Sequence, residues 1–427
     1  MPANRGAKRA LTSMSDSFVS PLAQQFAALD DFLIEHQALW RPRPFTERHL
    51  AWEQEHPELA RWLRARSLEQ AEAAHNHPEQ LPAPEPFASL ACQSSALSHL
   101  PTLPQHQLPA SPPRLSVDVP GRKWQQIQAF ASHLSFTQPP SHWLDWCAGK
   151  GHLGRLLASN GSQLTCLEWD PQLVASGQQL SQRAGIHAQH QQQDVLAADT
   201  AQHLHSEHCP VALHACGDLH VQLLKLASQS GCRQLAVVPC CYNRIRSSQY
   251  QPLSETAKAS SLQLSVEDLR LPLSETVTAG ARVRRQRDQS MAWRLGFDLL
   301  QRELRQCDEY LPTPSLPGDW LQKSFAQFCL DLATLKKLPT VTTWDWQALE
   351  AAGWQRLAEV RNLELLRSLF RRPLEIWLLL DRALYLEEQG YRVQLGEFCD
   401  SSLTPRNILL LGERLPTKSV DNSGDSH

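Results

Sequence analysis

No apolar run in this chain approaches the roughly 18 residues that a membrane-crossing helix needs, so the sequence offers no helical membrane span. An excess of one charge is also missing. Lys and Arg number 41 against 44 Asp and Glu, a net charge of −3. Nothing global draws the chain to nucleic acid, and any basic surface has to be local. A secretory leader is not expected, because "MPANRGAKRALTSMSDSF" is mildly basic with no apolar stretch behind it. Internal repeats are absent. So is the layout of a disulfide framework. There are 11 cysteines, an odd number, and seven of them lie from Cys147 to Cys241, mostly inside apolar, strand-like runs. A small secreted domain would place them in loops. They read as reduced thiols, which predicts a cytoplasmic protein.

What is present is a globular composition, 42% hydrophobic and 20% charged over 427 residues, enough for more than one core. Residues 1–80 read as a helical N-terminal region. "PLAQQFAALDDFLIEHQALW" spaces Leu22, Phe26, Leu29 and Leu33 as one helical face. Nine prolines between Pro82 and Pro120 predict a linker or extended strap over 81–120. "GRKWQQIQAFASHL" then reads as a helix with a basic start. From His142 the rhythm becomes strand and helix in alternation. Strands are expected at 142–148, 163–169, 186–195, 209–216 and 233–241, forming a Rossmann-like core over 121–241. Crossover helices between them imply a mostly parallel sheet covered on both faces. Residues 242–373 read as a helical insertion. A last helix, "LEIWLLLDRALYLEEQG", and strands at 391–399 and 407–413 complete the core over 374–414, the strands as an antiparallel hairpin. Residues 415–427 and 1–16 read as frayed.

The chemistry starts at "WLDWCAGKGHLGRLL", Trp143–Leu157. Gly149 and Gly151 let a backbone pass close beneath a ligand, and the following helix offers free N–H groups. The turn is D-x-C-x-G-x-G, starting at Asp145 and including Cys147. It lacks the first glycine of the dinucleotide signature, which suits an adenosine ligand without a pyrophosphate. Glu168 ends the second strand, where an acid takes both ribose hydroxyls. Asp194 ends the third, within reach of an adenine amino group. Asp145, Cys147, Gly149, Gly151, Glu168 and Asp194 together predict a site for S-adenosylmethionine (SAM), and seven strands ending in a hairpin match the usual SAM-methyltransferase sheet.

"LDWCAGKGHLGRLLA", "ALHACGDL" and "VVPCCYNRI" resemble the class I methyltransferase domain shared by methyltransferase-like protein 25 and the glutathione S-transferase C-terminal-domain-containing protein. The resemblance spans roughly residues 120–414 and implies a seven-stranded Rossmann-like fold with SAM as methyl donor. It leaves the acceptor open. A more distant likeness is to eukaryotic tRNA 2′-O-methyltransferases.

On the acceptor side, the tips of the fourth and fifth strands carry His214, Cys216 and Asp218, then Cys240, Cys241 and Tyr242. Three readings compete. The cysteines pack as small hydrophobes. Or His214, Asp218 or Tyr242 removes a proton from the acceptor; alternatively Cys216 with Cys240 or Cys241 is similar to the cysteine pair of RNA cytosine-C5 methyltransferases, where a thiolate adds to the base. Or His214 and the cysteines bind a metal. Adjacent cysteines on a strand point apart, so no metal is expected. Arg282, Arg284, Arg285, Arg287 and Arg294 beside Trp293, with Arg244, Arg246, Arg122 and Lys123, favour RNA (tRNA or rRNA) as substrate. A small molecule or protein acceptor, or a non-catalytic SAM-binding scaffold, stays open.

Overall fold

The computed structural model describes residues 20–110, 112–274, 281–339 and 343–414. The expectations for 1–16 and 415–427 fall outside it. Seven strands form one sheet: β1 (His142–Trp146), β2 (Gln163–Glu168), β3 (Ala188–Gln192), β4 (His208–Cys216), β5 (Gln234–Cys240), β6 (Tyr391–Glu397) and β7 (Ile408–Arg414). Their order is β3-β2-β1-β4-β5-β7-β6. β1 to β5 run parallel, and β7 lies antiparallel to both β5 and β6. This is the Rossmann-like class I methyltransferase arrangement. The final hairpin closes the sheet as expected, with β7 rather than β6 on the inner side.

Burial explains how legible each strand is. β5, "QLAVVPC", is buried at every position, as a central parallel strand covered on both faces must be. β3, "AQHQQ", is an edge strand with no fully buried residue, so its composition is polar and its sequence signal weak. The pleat divides the core by twos. Leu144, Trp146, Leu235 and Val237 face one layer with Leu223, Leu224 and Ala227 of the helix Asp218–Gln229. Trp143, Ala236 and Val238 face the other, with Ile127 and Phe130 of the helix Gly121–Ser132.

The N-terminal helix Pro21–Glu35 does not stand apart. Its Phe26 packs on Trp377 with ring centroids 5.1 Å apart, and Asp30 accepts from the Trp377 indole at 2.8 Å. Trp377 belongs to the last helix, Arg371–Glu388, which is buried nearly all round between these helices and the sheet. The 81–120 stretch corrects the linker expectation. It contains the helix Phe87–Leu97, whose Phe87, Leu90 and Ala91 are buried. Ser94 there donates to the Leu369 carbonyl at 2.6 Å. The prolines fall outside this helix and in the extended piece after it, which zips onto the β6 edge: Leu103 N–H donates to the Glu397 carbonyl at 2.9 Å and Glu397 N–H to the Pro101 carbonyl at 2.9 Å. The expected insertion is helical. Helices Ala281–Arg305, Phe325–Leu335 and Trp346–Ser368 surround a separate cluster of Trp293, Phe297, Leu300 and Phe328.

Candidate functional site

The chain reverses its sheet direction between β1 and β4, so a crevice opens at the carboxyl ends of these strands. Three left-handed residues shape the turn after β1: Cys147 (φ 56°), Gly149 (φ 57°) and Gly151 (φ 70°). The two glycines have different reasons. Among the described residues, no atom lies within 4 Å of a side chain added at Gly149, so this glycine keeps space open. A Cβ at Gly151 would stand 2.7 Å from the His190 ring, so this glycine serves interior packing.

Asp145 also turns inward. It is 3% exposed, and its Oδ2 accepts from the Gly154 N–H at 2.9 Å, tying β1 to the helix His152–Leu157. Burial pushes its carboxyl up to about 6. It holds the turn from below and does not line the crevice. Glu168 does reach it. Its carboxylate accepts from Gly149 N–H at 2.8 Å and from Asp170 N–H at 3.0 Å, so the β2 tip also clamps the glycine turn. A cleft of about 340 Å³ is lined by Cys147, Glu168, Trp169, Gln193, Asp194, Val195 and Leu219. Asp194 is exposed there. Trp169, which sequence reasoning passed over, is 58% exposed on the cleft, unusual for so large an apolar ring. Its signal was present: a tryptophan directly after the acid that ends β2. Carboxylates for ribose and amino groups, apolar surface for an adenine and open space over Gly149 fit SAM. Burial pushes the Cys147 thiol up to about 12, so it stays a neutral lining group. A larger cleft of about 850 Å³, lined by Ser141, His208, Gln234 and Arg414 among others, opens at the amino ends of β1, β4 and β5, away from this chemistry.

On the acceptor side, the β4–β5 register slips between Leu213 and Ala215, where His214 adopts φ 65°. This bulge turns His214 towards Gln126, Nε2 to Oε1 3.2 Å. Burial lowers its pKa to about 4, leaving a neutral imidazole. Asp218 is occupied, its Oδ2 accepting from Arg246 N–H at 2.8 Å. Gly217 is required: a Cβ there would fall 1.9 Å from the Arg244 carbonyl oxygen. Tyr242 contradicts its expected role. It is 1% exposed and points into the layer behind the sheet, under the Arg382 guanidinium at 5.2 Å and beside His220. A phenol so buried cannot meet a substrate.

The cysteines converge. Cys216 and Cys240 are register partners with sulfurs 3.6 Å apart, and those two and Cys241 all lie within 4.8 Å of one another. The expectation that neighbouring cysteines point apart fails because Cys241 has φ 47°, which breaks the strand's alternation. The Cys216 and Cys240 thiols, with Arg244 and Arg406 nearby, hold Cys241 down towards its thiolate, while the same contacts push Cys240 up. All 11 cysteines are free.

Residues 122–248 match the family model of a methyltransferase domain. That stretch holds the glycine turn, Glu168, Asp194 and the three-cysteine cluster. The chain carries a methyltransferase domain over these residues, and the cleft beside it has the lining that SAM would need. Among solved structures it is similar to a geranyl diphosphate methyltransferase in complex with GPP and sinefungin, at 14% identity and a TM-score of 0.25 over 40% of this chain. The chain spans 65% of that protein's length. It is also similar to the protein in a structure describing conversion of a disulfide bond into a thioacetal group during echinomycin biosynthesis. There identity is 12% and the TM-score 0.23, over 66% of this chain and 79% of the other.

Proposed function

We propose that this protein is a SAM-dependent methyltransferase of RNA, tRNA or rRNA, working in the cytoplasm. The observation that carries the RNA reading is the basic rim of the acceptor side. Arg244 and Arg246 are exposed at the β5 tip, Arg244 and Arg406 neighbour Cys241, and Lys123 neighbours His214. Such a rim suits phosphates flanking a presented nucleotide. The resemblance to methyltransferase-like protein 25 and the glutathione S-transferase C-terminal-domain-containing protein belongs to the same reading. No helix among the described residues is long and apolar enough to cross a membrane.

The long arginine run contributes less than its sequence promised. Trp293 is buried and donates to Glu350 at 2.8 Å, so no base can stack on it. Arg294 donates to the Thr313 hydroxyl and the Pro314 carbonyl. Arg282, Arg284, Arg285 and Arg287 are exposed, but Arg284 lies near Glu72 and Arg287 near His75, in the N-terminal helical region.

When bound, SAM supplies an activated methyl group. Trp169, Glu168 and Asp194 orient it from the β2 and β3 tips. His214, neutral at pH 7, accepts a proton at the acceptor. Tritiated SAM offered to separated RNA, protein and metabolite fractions is the test, and label should enter RNA. Reversing Arg244 and Arg246 to Glu should weaken RNA binding and flatten its salt dependence, with SAM affinity kept. Label that enters only a metabolite or protein fraction overturns the RNA assignment.

A further inference from the structure

We propose that Cys216, Cys240 and Cys241 form a zinc site with three thiolate ligands and one open position facing the acceptor side. Zinc binds thiolate sulfur at about 2.3 Å in tetrahedral geometry, which puts neighbouring sulfurs about 3.8 Å apart. In the protein the Cys216 and Cys240 sulfurs stand 3.6 Å apart and all three lie within 4.8 Å. Small rotations of the side chains bring them onto one ion.

The backbone is built for this convergence. Cys216 and Cys240 face each other on adjacent parallel strands. An extended Cys241 would point to the opposite face of the sheet, and its φ of 47° returns it to the other two sulfurs. The Gly217 N–H donates to the Cys240 carbonyl at 3.0 Å, locking the two strand tips together. The Arg244 N–H donates to the Cys241 carbonyl at 2.9 Å, closing the turn that presents Cys241. Cys216 and Cys241 are half-buried, leaving the ion a path from the acceptor side, while Cys240 forms the floor at 4% exposed.

Charge and ligand softness agree. Three thiolates select a thiophilic d¹⁰ ion over magnesium or calcium. Zn²⁺ with three thiolates leaves one negative charge, and the Arg244 and Arg406 guanidiniums stand near Cys241 to balance it. Binding displaces the thiol protons to solvent. Three protein ligands with a fourth place free is the arrangement of zinc sites that receive water or a substrate atom, whereas purely structural sites are closed by four. The proposal goes beyond the RNA reading and does not depend on it, because metal content is measured without any methyl acceptor.

The full chain, purified under reducing conditions without chelator, is analysed by inductively coupled plasma mass spectrometry. It is then stripped and titrated with Co²⁺. About one zinc per chain is expected, and cobalt should give an intense sulfur-to-metal charge-transfer band with tetrahedral d–d bands. Cys216→Ser and Cys241→Ser should each weaken zinc binding about tenfold or more. Both should keep SAM affinity and, compared metal-free, the thermal midpoint of the stripped wild-type chain, which separates ligand loss from misfolding. Cys92→Ser, at an exposed cysteine, should keep the metal. Fully reduced protein that takes up no cobalt, a cobalt spectrum without the sulfur band, copper in place of zinc, or a Cys216–Cys240 disulfide in that preparation would each overturn the site.

Discussion

Glu168 uses one carboxylate for two tasks. Its oxygens accept from Gly149 and Asp170, and it borders the donor cleft. Glu168→Ala therefore takes two acceptor oxygens from the cleft and releases the glycine turn. SAM affinity should fall by about 1.5–3 kcal/mol, the worth of hydrogen bonds to a charged group. Trp169→Ala should cost about 1–3 kcal/mol of the same affinity through lost base stacking, with little effect on stability because the ring is 58% exposed. Isothermal calorimetry with S-adenosylhomocysteine measures both, and an unchanged affinity in Trp169→Ala would remove that residue from the site. Gly217→Ala is a fold variant. With the Arg244 carbonyl 1.9 Å from the new Cβ, the β4 and β5 tips must separate, so expression or thermal midpoint should collapse.

At the scale of elements, the piece that matters most is the loop after β5, because it carries Cys241 and Arg244. A buried carboxylate on the last helix holds it. Asp381 is 0% exposed and accepts from Ser254 N–H and Oγ, Leu253 N–H and the Tyr250 hydroxyl. Its neighbour Arg382 donates to His220 at 2.7 Å and lies over Tyr242. Removing one partner of a buried charged network leaves the others unsatisfied. Asp381→Ala should destabilise the protein by about 3–5 kcal/mol, with Asp381→Asn milder because one acceptor oxygen remains. Urea denaturation decides it, and a loss under about 1 kcal/mol would mean water replaces the carboxylate. Little of this network was legible. The Asp-Arg pair sits in a helix whose sequence marks only the helix itself, and its partners are more than a hundred residues away in sequence. The helix Phe87–Leu97 was hidden for a different reason: proline density on either side outweighed its Phe87, Leu90 and Ala91 spacing.

For the whole molecule, acid is the expected weakness. His152, His190, His208 and His214 are each lowered to about 4 by burial, and His220 lies further below its usual value. Unfolded, each would titrate near 6.5. Between those values the unfolded chain binds more protons, so stability is full above pH 6.5 and falls as pH drops towards 4. Asp145 runs the other way. Its carboxyl is raised to about 6 from 3.8, so it costs stability as pH rises through that interval. The histidines outnumber it, and the net loss between pH 7 and 5 should exceed about 1.4 kcal/mol, one unit on one group. A urea midpoint at pH 5 equal to or above that at pH 7 contradicts this. In denaturant without reductant or metal, all 11 thiols should react with a thiol reagent, and stable disulfides would contradict the free cysteines of the fold.

The sequence by itself determined the class of fold and the place of the glycine turn and strand-end acids. Strand–helix alternation, two glycines after β1 and acids at the tips of β2 and β3 are local patterns, and local patterns are written along the chain. The direction of each side chain at the strand tips was decided only in three dimensions. Gly149 and Gly151 look equivalent in sequence, yet His190 from β3 packs against one alone. Asp145 and Glu168 are both strand-end acids, yet the first is sealed beneath the turn. Tyr242 follows Cys241 directly, yet one faces the buried layer behind the sheet and the other joins the sulfurs. The physical reason is the sign of φ at Cys147, His214 and Cys241. A left-handed residue breaks the alternation that sequence reading assumes, and only packing from distant segments makes so strained a backbone stable.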